Sequence, residues 1–238
     1  MTTGAFPQVY RHAADFCGYI SLSATPVQVE SLGGLVATTG GVGSPSALSL
    51  SGSNSGILRL TTDSTSGASR VEVNQNNVLC YGISTGLSGA LGGARTVNVK
   101  ITPTGSDQST TASFFGLSGT HNATLSSMTR IGFEVTAGEL YAHTYDGTTD
   151  SGAIDTGIAV QNGVPLLLEI SVESPFDVRF YATNPTNGTI DRLCKQTTFT
   201  VPALAGTSMQ ICNRQGKSNG TQVVTADIDV ITVDGRRI

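Results

Sequence analysis

The sequence predicts an all-β protein, an antiparallel β-sandwich or jelly roll, and three observations predict it. About a dozen short segments alternate apolar and polar residues with period two, the spacing that gives a strand one buried and one wet face. Turn-forming pairs stand between them: Ala137-Gly138, Asp146-Gly147, Asn162-Gly163, Asn187-Gly188 and Asn219-Gly220. No stretch of about ten residues carries an apolar stripe at helical spacing.

Taken in order, residues 1–15 precede the first predicted strand and read as an N-terminal arm, and residues 16–238 read as a single sandwich domain. The Gly/Ser-rich stretch 33–56 is either a loop or a weak edge strand. Period-two runs then follow at 56–62, 69–73, 78–83, 95–101, 113–117, 130–135, 139–145, 196–201, 208–212 and 226–233. Between the seventh and eighth of these, VPLLLEISVES sets Leu166, Leu168, Ile170 and Val172 on one face, and FDVRFYAT sets Phe176, Val178, Phe180 and Ala182 on one face. The two segments meet at Ser174 and Pro175 as a hairpin. A two-residue loop would pair Val172 with Asp177 and bring a carboxylate among the apolar side chains, so parity predicts an odd loop or a bulge, with Val172 beside Val178 or Phe176. Either register brings Arg179 near Glu169 as a cross-strand ion pair, a structural contact.

Composition narrows the function. Net charge is −4 and 13% of the 238 residues are charged, without blocks, so no basic face invites nucleic acid and no polybasic run invites anionic lipid. No apolar run is long enough to span a membrane, and the N-terminal sequence lacks the apolar centre of a signal peptide; synthesis in the cytosol is expected. Cys17, Cys80, Cys194 and Cys212 lie far apart with no zinc-site spacing and are expected as free buried thiols. Sequons at Asn122, Asn187 and Asn219 are expected by chance in so Ser/Thr-rich a chain.

Catalytic motifs are weak. GISTG around Ser84 matches a nucleophile elbow, but a Gly-rich stretch follows where that elbow needs a helix. His121 and His143 could each act as a base, yet the sequence places no carboxylate to orient either. GKS at Gly216–Ser218 lacks the upstream glycine of a phosphate loop, Ile211 standing in its place. Asp227 with Asp229, and Asp146, Asp150 and Asp155, match no dedicated calcium loop and read as edge and turn residues. Glu134 with Glu139, or Glu169 with Glu173, shows no matched acid and base. No catalytic residue, metal or cofactor is assigned.

The most ligand-like segment is ELYAHTY, where Tyr141, His143 and Tyr145 share one strand face and Leu140, Ala142 and Thr144 the other. The face is read as a sandwich wall or subunit contact, with a ligand face as its alternative. A sugar platform leans on exposed aromatic rings, Trp above all, and this chain has no Trp and 6% aromatic residues.

In the order DFCGYISLSA, GILRLTTDSTSGASRVEV, RIGFEVTAGELYAHTYDGTTDSGAIDTGI, PLLLEISVESPFDVRFYAT and ADIDVITVDGRR, the chain resembles the concanavalin A-like, laminin-G-like jelly-roll domains found as virion proteins of tailed bacteriophages. The resemblance implies a non-enzymatic virion structural protein: a capsid decoration or cement protein that binds the major capsid protein as a homo-oligomer, a trimer favoured. A tail or head fibre subunit, or a receptor or carbohydrate-binding module for a host-surface glycan, is the alternative. The glutamate cluster of laminarinase-type members and the metal loop of legume lectins are not recognisable, so neither activity is carried over. Phe6, Val9, Tyr10 and Phe16 of the arm are the expected anchor on a partner, a disordered tail being the alternative. The implied location is the virion, after synthesis in the host cytoplasm.

Overall fold

The computed structural model describes residues 8–15, 21–22, 27–28, 36–49, 56–74, 81–82, 95–105, 108–119, 124–145, 147–174, 177–183, 193–197 and 208–237. They form β1 (Gln8–Asp15), β2 (Ser21–Leu22), β3 (Val27–Gln28), β4 (Val36–Gly41), β5 (Ser46–Ser49), β6 (Leu58–Thr61), β7 (Ser69–Asn74), β8 (Tyr81–Gly82), β9 (Arg95–Pro103), β10 (Ala112–Ser118), β11 (Arg130–Thr136), β12 (Glu139–Tyr145), β13 (Ile154–Ala159), β14 (Leu166–Ser174), β15 (Asp177–Thr183), β16 (Leu193–Thr197), β17 (Ser208–Lys217) and β18 (Thr225–Arg237). A turn of 3₁₀ helix, Leu125–Ser127, stands between β10 and β11.

Two antiparallel sheets result, as the alternating patterns require. The first runs β16-β15-β14-β9-β18-β6-β5-β2 and the second β13-β12-β11-β10-β17-β7-β4-β3. In the first, β9 lies along one edge of β18, while β6 and β1 share the other, β6 at Thr225–Ile228 and β1 at Val230–Arg237. Residues 8–15, assigned to the arm by sequence, therefore pair as a strand against the end of the chain. In the second, β17 divides one edge between β8 and β7 and gives the other to β10.

The core fills the space between the sheets. Leu58, Leu60, Val97, Val99, Ile101, Leu168, Ile170 and Phe180 face inward from the first; Val71, Val73, Phe115, Leu117, Ile131, Phe133 and Leu140 answer from the second. Phe133 and Phe180 meet edge to face across the layers, centroids 5.4 Å apart at 82°. The β14–β15 hairpin has the expected parity: Val172 pairs with Val178, and a bulge between Val172 and Ser174 absorbs the odd residue. Arg179 pairs with Ser171, one step diagonally from Glu169.

Simple alternation fails in β18. A bulge at Asp229, between Ile228 and Val230, resets the parity. Ala226, Ile228 and Ile231 are buried in the core while Val230 is partly exposed, so two core residues stand three apart. The 33–56 stretch, open between loop and edge strand, supplies β4 and β5, which pair with β7 and β6 respectively.

Candidate functional site

The outer face of the second sheet carries the chemistry. Phe115, Leu117, Phe133, Leu140 and Ala142 point into the core, so the residues between them point away from it. Cross-strand pairing sets them in rows. One row runs Tyr141, Glu134, Phe114, Arg214, Glu72, Thr38; the next runs His143, Gly132, Gly116, Cys212, Asn74. Polar side chains on an outer face are ordinarily wet. Here Arg130, Glu134, His143, Arg214, Glu72 and Asn74 are buried, and each finds a partner.

Arg130, Gly132 and Glu134 succeed one another on this face of β11. Gly132 has no side chain, and a Cβ there would lie 2.7 Å from the Phe114 ring. The gap lets Arg130 reach along its own strand, where Nε donates to Glu134 Oε1. His143, opposite Gly132, enters from β12 and sets Nδ1 3.0 Å from Glu134 Oε2. Its Nε2 meets Asp150 Oδ1 from the loop after β12. Both ring nitrogens thus face carboxylates, which suits the doubly protonated ring. Arg130 Nη2 lies 3.2 Å from His143 Nδ1; with the ring protonated this is not a hydrogen bond, and the two cations share Glu134. Burial disfavours the imidazolium, but the hydrogen bonds and charges of Glu134 and Asp150 outweigh burial and the nearby Arg130, and the His143 pKa is raised. Asp150 is lowered: burial opposes ionisation, and the His143 contact with the Gly152 N–H overcomes it.

Arg130 also organises what lies above the sheet. Its Nη1 donates to the carbonyls of Leu125 (2.5 Å) and Met128 (3.0 Å), and its guanidinium sits 5.2 Å from the Tyr145 ring centroid. Leu125 packs on a satellite cluster of Phe114, Met128 and Cys212. Cys212 is a free thiol that burial pushes well above its ordinary range.

Leu125 also lines a cleft of about 270 Å3, together with Gly40, Arg70, Arg214, Lys217 and Ser218 among others. Arg214 donates from Nε and Nη2 to Glu72 Oε2 (3.0 and 2.6 Å), and Glu72 Oε1 accepts from Asn74 Nδ2 (3.0 Å). Lys217 turns its ammonium onto the carbonyls of Asp63, Thr65 (2.9 Å) and Gly220 (3.0 Å), tying two loops together at the end of β17. A Cβ on Gly40 would lie 2.7 Å from Arg70 Cζ, so the guanidinium rests against Gly40, and both line the cleft.

The structure places the sequence candidates as follows. Tyr141, His143 and Tyr145 do share one face, with Leu140 and Ala142 in the core; His143 is enclosed by its carboxylates, and the Tyr145 hydroxyl donates to Gly147 O (3.0 Å). Val9 and Tyr10 pair through their backbone with Arg236 and Gly235. Phe6, Phe16, Ser84 and His121 lie outside the described residues. Asp227 is held by Arg59 at 2.7 Å and Asp229 by Lys100 at 2.5 Å, so each has its own cation. Sequence reasoning missed the cleft, and missed Glu134 and Asp150 as partners of His143. The signals present were Arg70 and Glu72 alternating in one strand, and Arg130 and Glu134 flanking a glycine in another.

No protein-family model matches the chain, and no curated protein matches it. Solved structures do. The chain is similar to lectin I of Ulex europaeus, solved with the methyl glycoside of α-L-fucose (TM-score 0.65, 9% identity, 95% of this chain and 98% of that one). It is similar to lectin UEA-II, solved with galactose (TM-score 0.62, 13% identity, 96% and 99%). A protein of unknown function from Shewanella oneidensis MR-1 is also similar (TM-score 0.66, 12% identity, 99% and 89%). The fold is therefore the concanavalin A-like jelly-roll sandwich that the sequence resemblance implied. None of these three is described as a virion protein, and the virion part of that resemblance finds no support in them.

Proposed function

We propose that the protein is a non-catalytic carbohydrate-binding module, and that the cleft on the outer face of the second sheet is where it binds. The observation that carries the reading is this cleft in a lectin-like sandwich, lined by backbone, by arginine, by the aliphatic Leu125 and by the exposed Thr124 and Ser218, whose hydroxyl oxygens bond to Ser127 Oγ (2.8 Å) and Thr110 O (3.2 Å) and keep further acceptor capacity. A sugar presents the complementary surface, C–H patches beside hydroxyls that both donate and accept. The Tyr141, His143 and Tyr145 face is a weaker candidate, since His143 is buried between the Glu134 and Asp150 carboxylates. A capsid-decoration role, with its trimer, its arm anchor and its virion location, has no observation of comparable weight behind it. The test is a glycan array probed with the full chain, followed by titration of each hit. Binding is expected, and Ala68→Phe, which fills the cleft from its exposed rim, is expected to reduce affinity at least about tenfold, while Tyr141→Ala leaves it within about twofold. Binding that survives Ala68→Phe and is lost in Tyr141→Ala would move the site to the tyrosine face; a blank array would remove the carbohydrate reading.

A further inference from the structure

Two asparagine-glycine pairs stand in described turns, and the structure treats them oppositely. Such a pair carries its own reaction: the backbone nitrogen of the glycine can attack the side-chain carbonyl carbon of the asparagine, and glycine puts no Cβ in the way. Both Asn162 and Asn219 are exposed, so exposure does not separate them. Hydrogen bonding does. In the turn between β13 and β14, the Gly163 N–H donates to Pro103 O (2.7 Å) and Asn162 Oδ1 accepts from the Gly105 N–H (3.1 Å), so both reacting groups are tied down. In the turn between β17 and β18, no hydrogen bond among the described residues engages the Asn219 amide or the Gly220 N–H. The space about Gly220 is open as well, a Cβ there meeting nothing nearer than Thr110 Cγ2 at 3.7 Å. The chain is held beside the pair, by the Ser218 N–H on Thr110 O (2.9 Å) and by Lys217 Nζ on Gly220 O (3.0 Å), but neither contact engages a reacting atom. Asn187-Gly188, the third such pair, lies outside the described residues.

We propose that Asn219 is a site of spontaneous deamidation, and that its conversion weakens the contact between Lys217 and Gly220. The chemistry needs only solvent. The Gly220 nitrogen forms a bond to Asn219 Cγ and gives up its proton, the Cγ–Nδ2 bond breaks, and Nδ2 takes up the proton and leaves as ammonia, closing a cyclic imide. Water then opens the imide at one of its two carbonyls. Opening at Cγ leaves aspartate on an unchanged backbone, and opening at the backbone carbonyl leaves isoaspartate, in which the chain runs through Cγ and is one methylene longer. Either product puts a carboxylate near Lys217, and isoaspartate also displaces Gly220, whose carbonyl is one of three that the ammonium holds. The new anion competes for the ammonium, and the longer link moves the carbonyl away from it. The loop at Gly220 then loosens from the loop at Asp63–Thr65, and Lys217, which lines the cleft, is rearranged. None of this depends on what the cleft binds.

The experiment is peptide mapping by mass spectrometry of the full chain, aged in mildly alkaline buffer and sampled over time, beside the same chain aged in denaturant. In denaturant both asparagines are free to react, which gives each pair its reference rate. In the folded protein two hydrogen bonds must open before Asn162 reacts, so conversion at Asn219, each site taken relative to its reference, is expected to be about tenfold faster or more. Aged protein is expected to melt lower than fresh protein. Aged Asn219→Gln, whose longer side chain closes the ring slowly, is expected to keep its melting temperature. Equal relative rates at the two sites in the folded protein, or an intact Asn219 over a period that converts it in denaturant, would overturn the assignment. Conversion at Asn219 with unchanged melting would overturn its effect on the Lys217 contact. If Asn219→Gln fails to fold, mapping of the native chain still decides the first point, and its separated isoaspartate and unreacted fractions supply the melting comparison for the second.

Discussion

Ala137 shows what one residue can hide. Thr136 pairs with Glu139, so the β11–β12 hairpin turns on Ala137 and Gly138, and both have positive φ, 52° and 83°. That is the left-handed backbone region at both central residues that a two-residue hairpin turn uses to match the right-handed twist of its strands. Gly138 adopts it freely, but Ala137 carries a Cβ into a region that costs an L-residue about 1 kcal/mol or more. Ala137→Asn, giving the Asn-Gly pair most suited to this turn, is expected to raise stability by about 0.5–1 kcal/mol, read as a higher melting temperature. An unchanged or lower value would mean that the turn is not strained. The pair was legible as a turn because small residues interrupt two alternating runs. Its hand was not, since alanine signals no preference for positive φ.

At the scale of elements, β11, β12 and the loop after β12 are joined by one titrating ring. Glu134 and Arg130 face His143 from the sheet, with the Tyr145 ring against Arg130, and Asp150 faces it from the loop. The folded His143 pKa lies above its ordinary 6.5, so its contribution to stability is fully present below that value and is lost as pH rises through the raised one. The folded Asp150 pKa lies below its ordinary 3.8, so its contribution is present above that value and is lost as pH falls. The contact is strongest between those limits. Melting temperature is expected to fall from pH 6 to pH 8.5 by more in the native protein than in His143→Gln; parallel curves would show that the ring does not titrate in this window. Above it the loop stays tethered by Ser151 N–H to Thr144 O, Thr144 N–H to Ser151 Oγ and the Tyr145 hydroxyl to Gly147 O, each 3.0 Å, so loosening rather than loss of the loop is the expected effect. That Tyr141, His143 and Tyr145 share a face followed from their spacing. That Glu134 and Asp150 complete the cluster did not, because it depends on a cross-strand register and on a loop folding back, neither of which spacing within one strand encodes.

Across the whole molecule the sandwich was legible where strands alternate strictly, as in β14 and β15, and obscure where they do not. β4 and β5 are built largely from Gly, Ser, Thr and Ala, which give no apolar rhythm, and the bulge in β18 breaks a rhythm that looks regular. The cleft was hidden for a topological reason: its walls come from β4, β7, β17 and the 124–125 turn, adjacent only because the sheet is ordered β10-β17-β7-β4. One core residue contradicts the pattern outright. Asn213 lies opposite Phe115 and Val73 on the inner face of β17, fully buried, and neither its Oδ1 nor its Nδ2 has a hydrogen-bond partner among the described residues. An amide in that position costs about 1–3 kcal/mol. Asn213→Val is expected to stabilise the protein by about 1 kcal/mol or more in denaturant unfolding, and a destabilised variant would reveal a buried partner such as an ordered water.

Lys217 gives the cleft end of the molecule a property of its own. Its ammonium does for the loops at Asp63–Thr65 and at Gly220 what a dissolved cation does elsewhere, gathering carbonyl oxygens around a positive centre. A dissolved ion can be diluted, exchanged or chelated; this one is tethered, and its effective concentration is set by the chain. The clamp behind the cleft is therefore always occupied, and its hold on those loops is inherited with the sequence and does not depend on the ionic content of the surroundings.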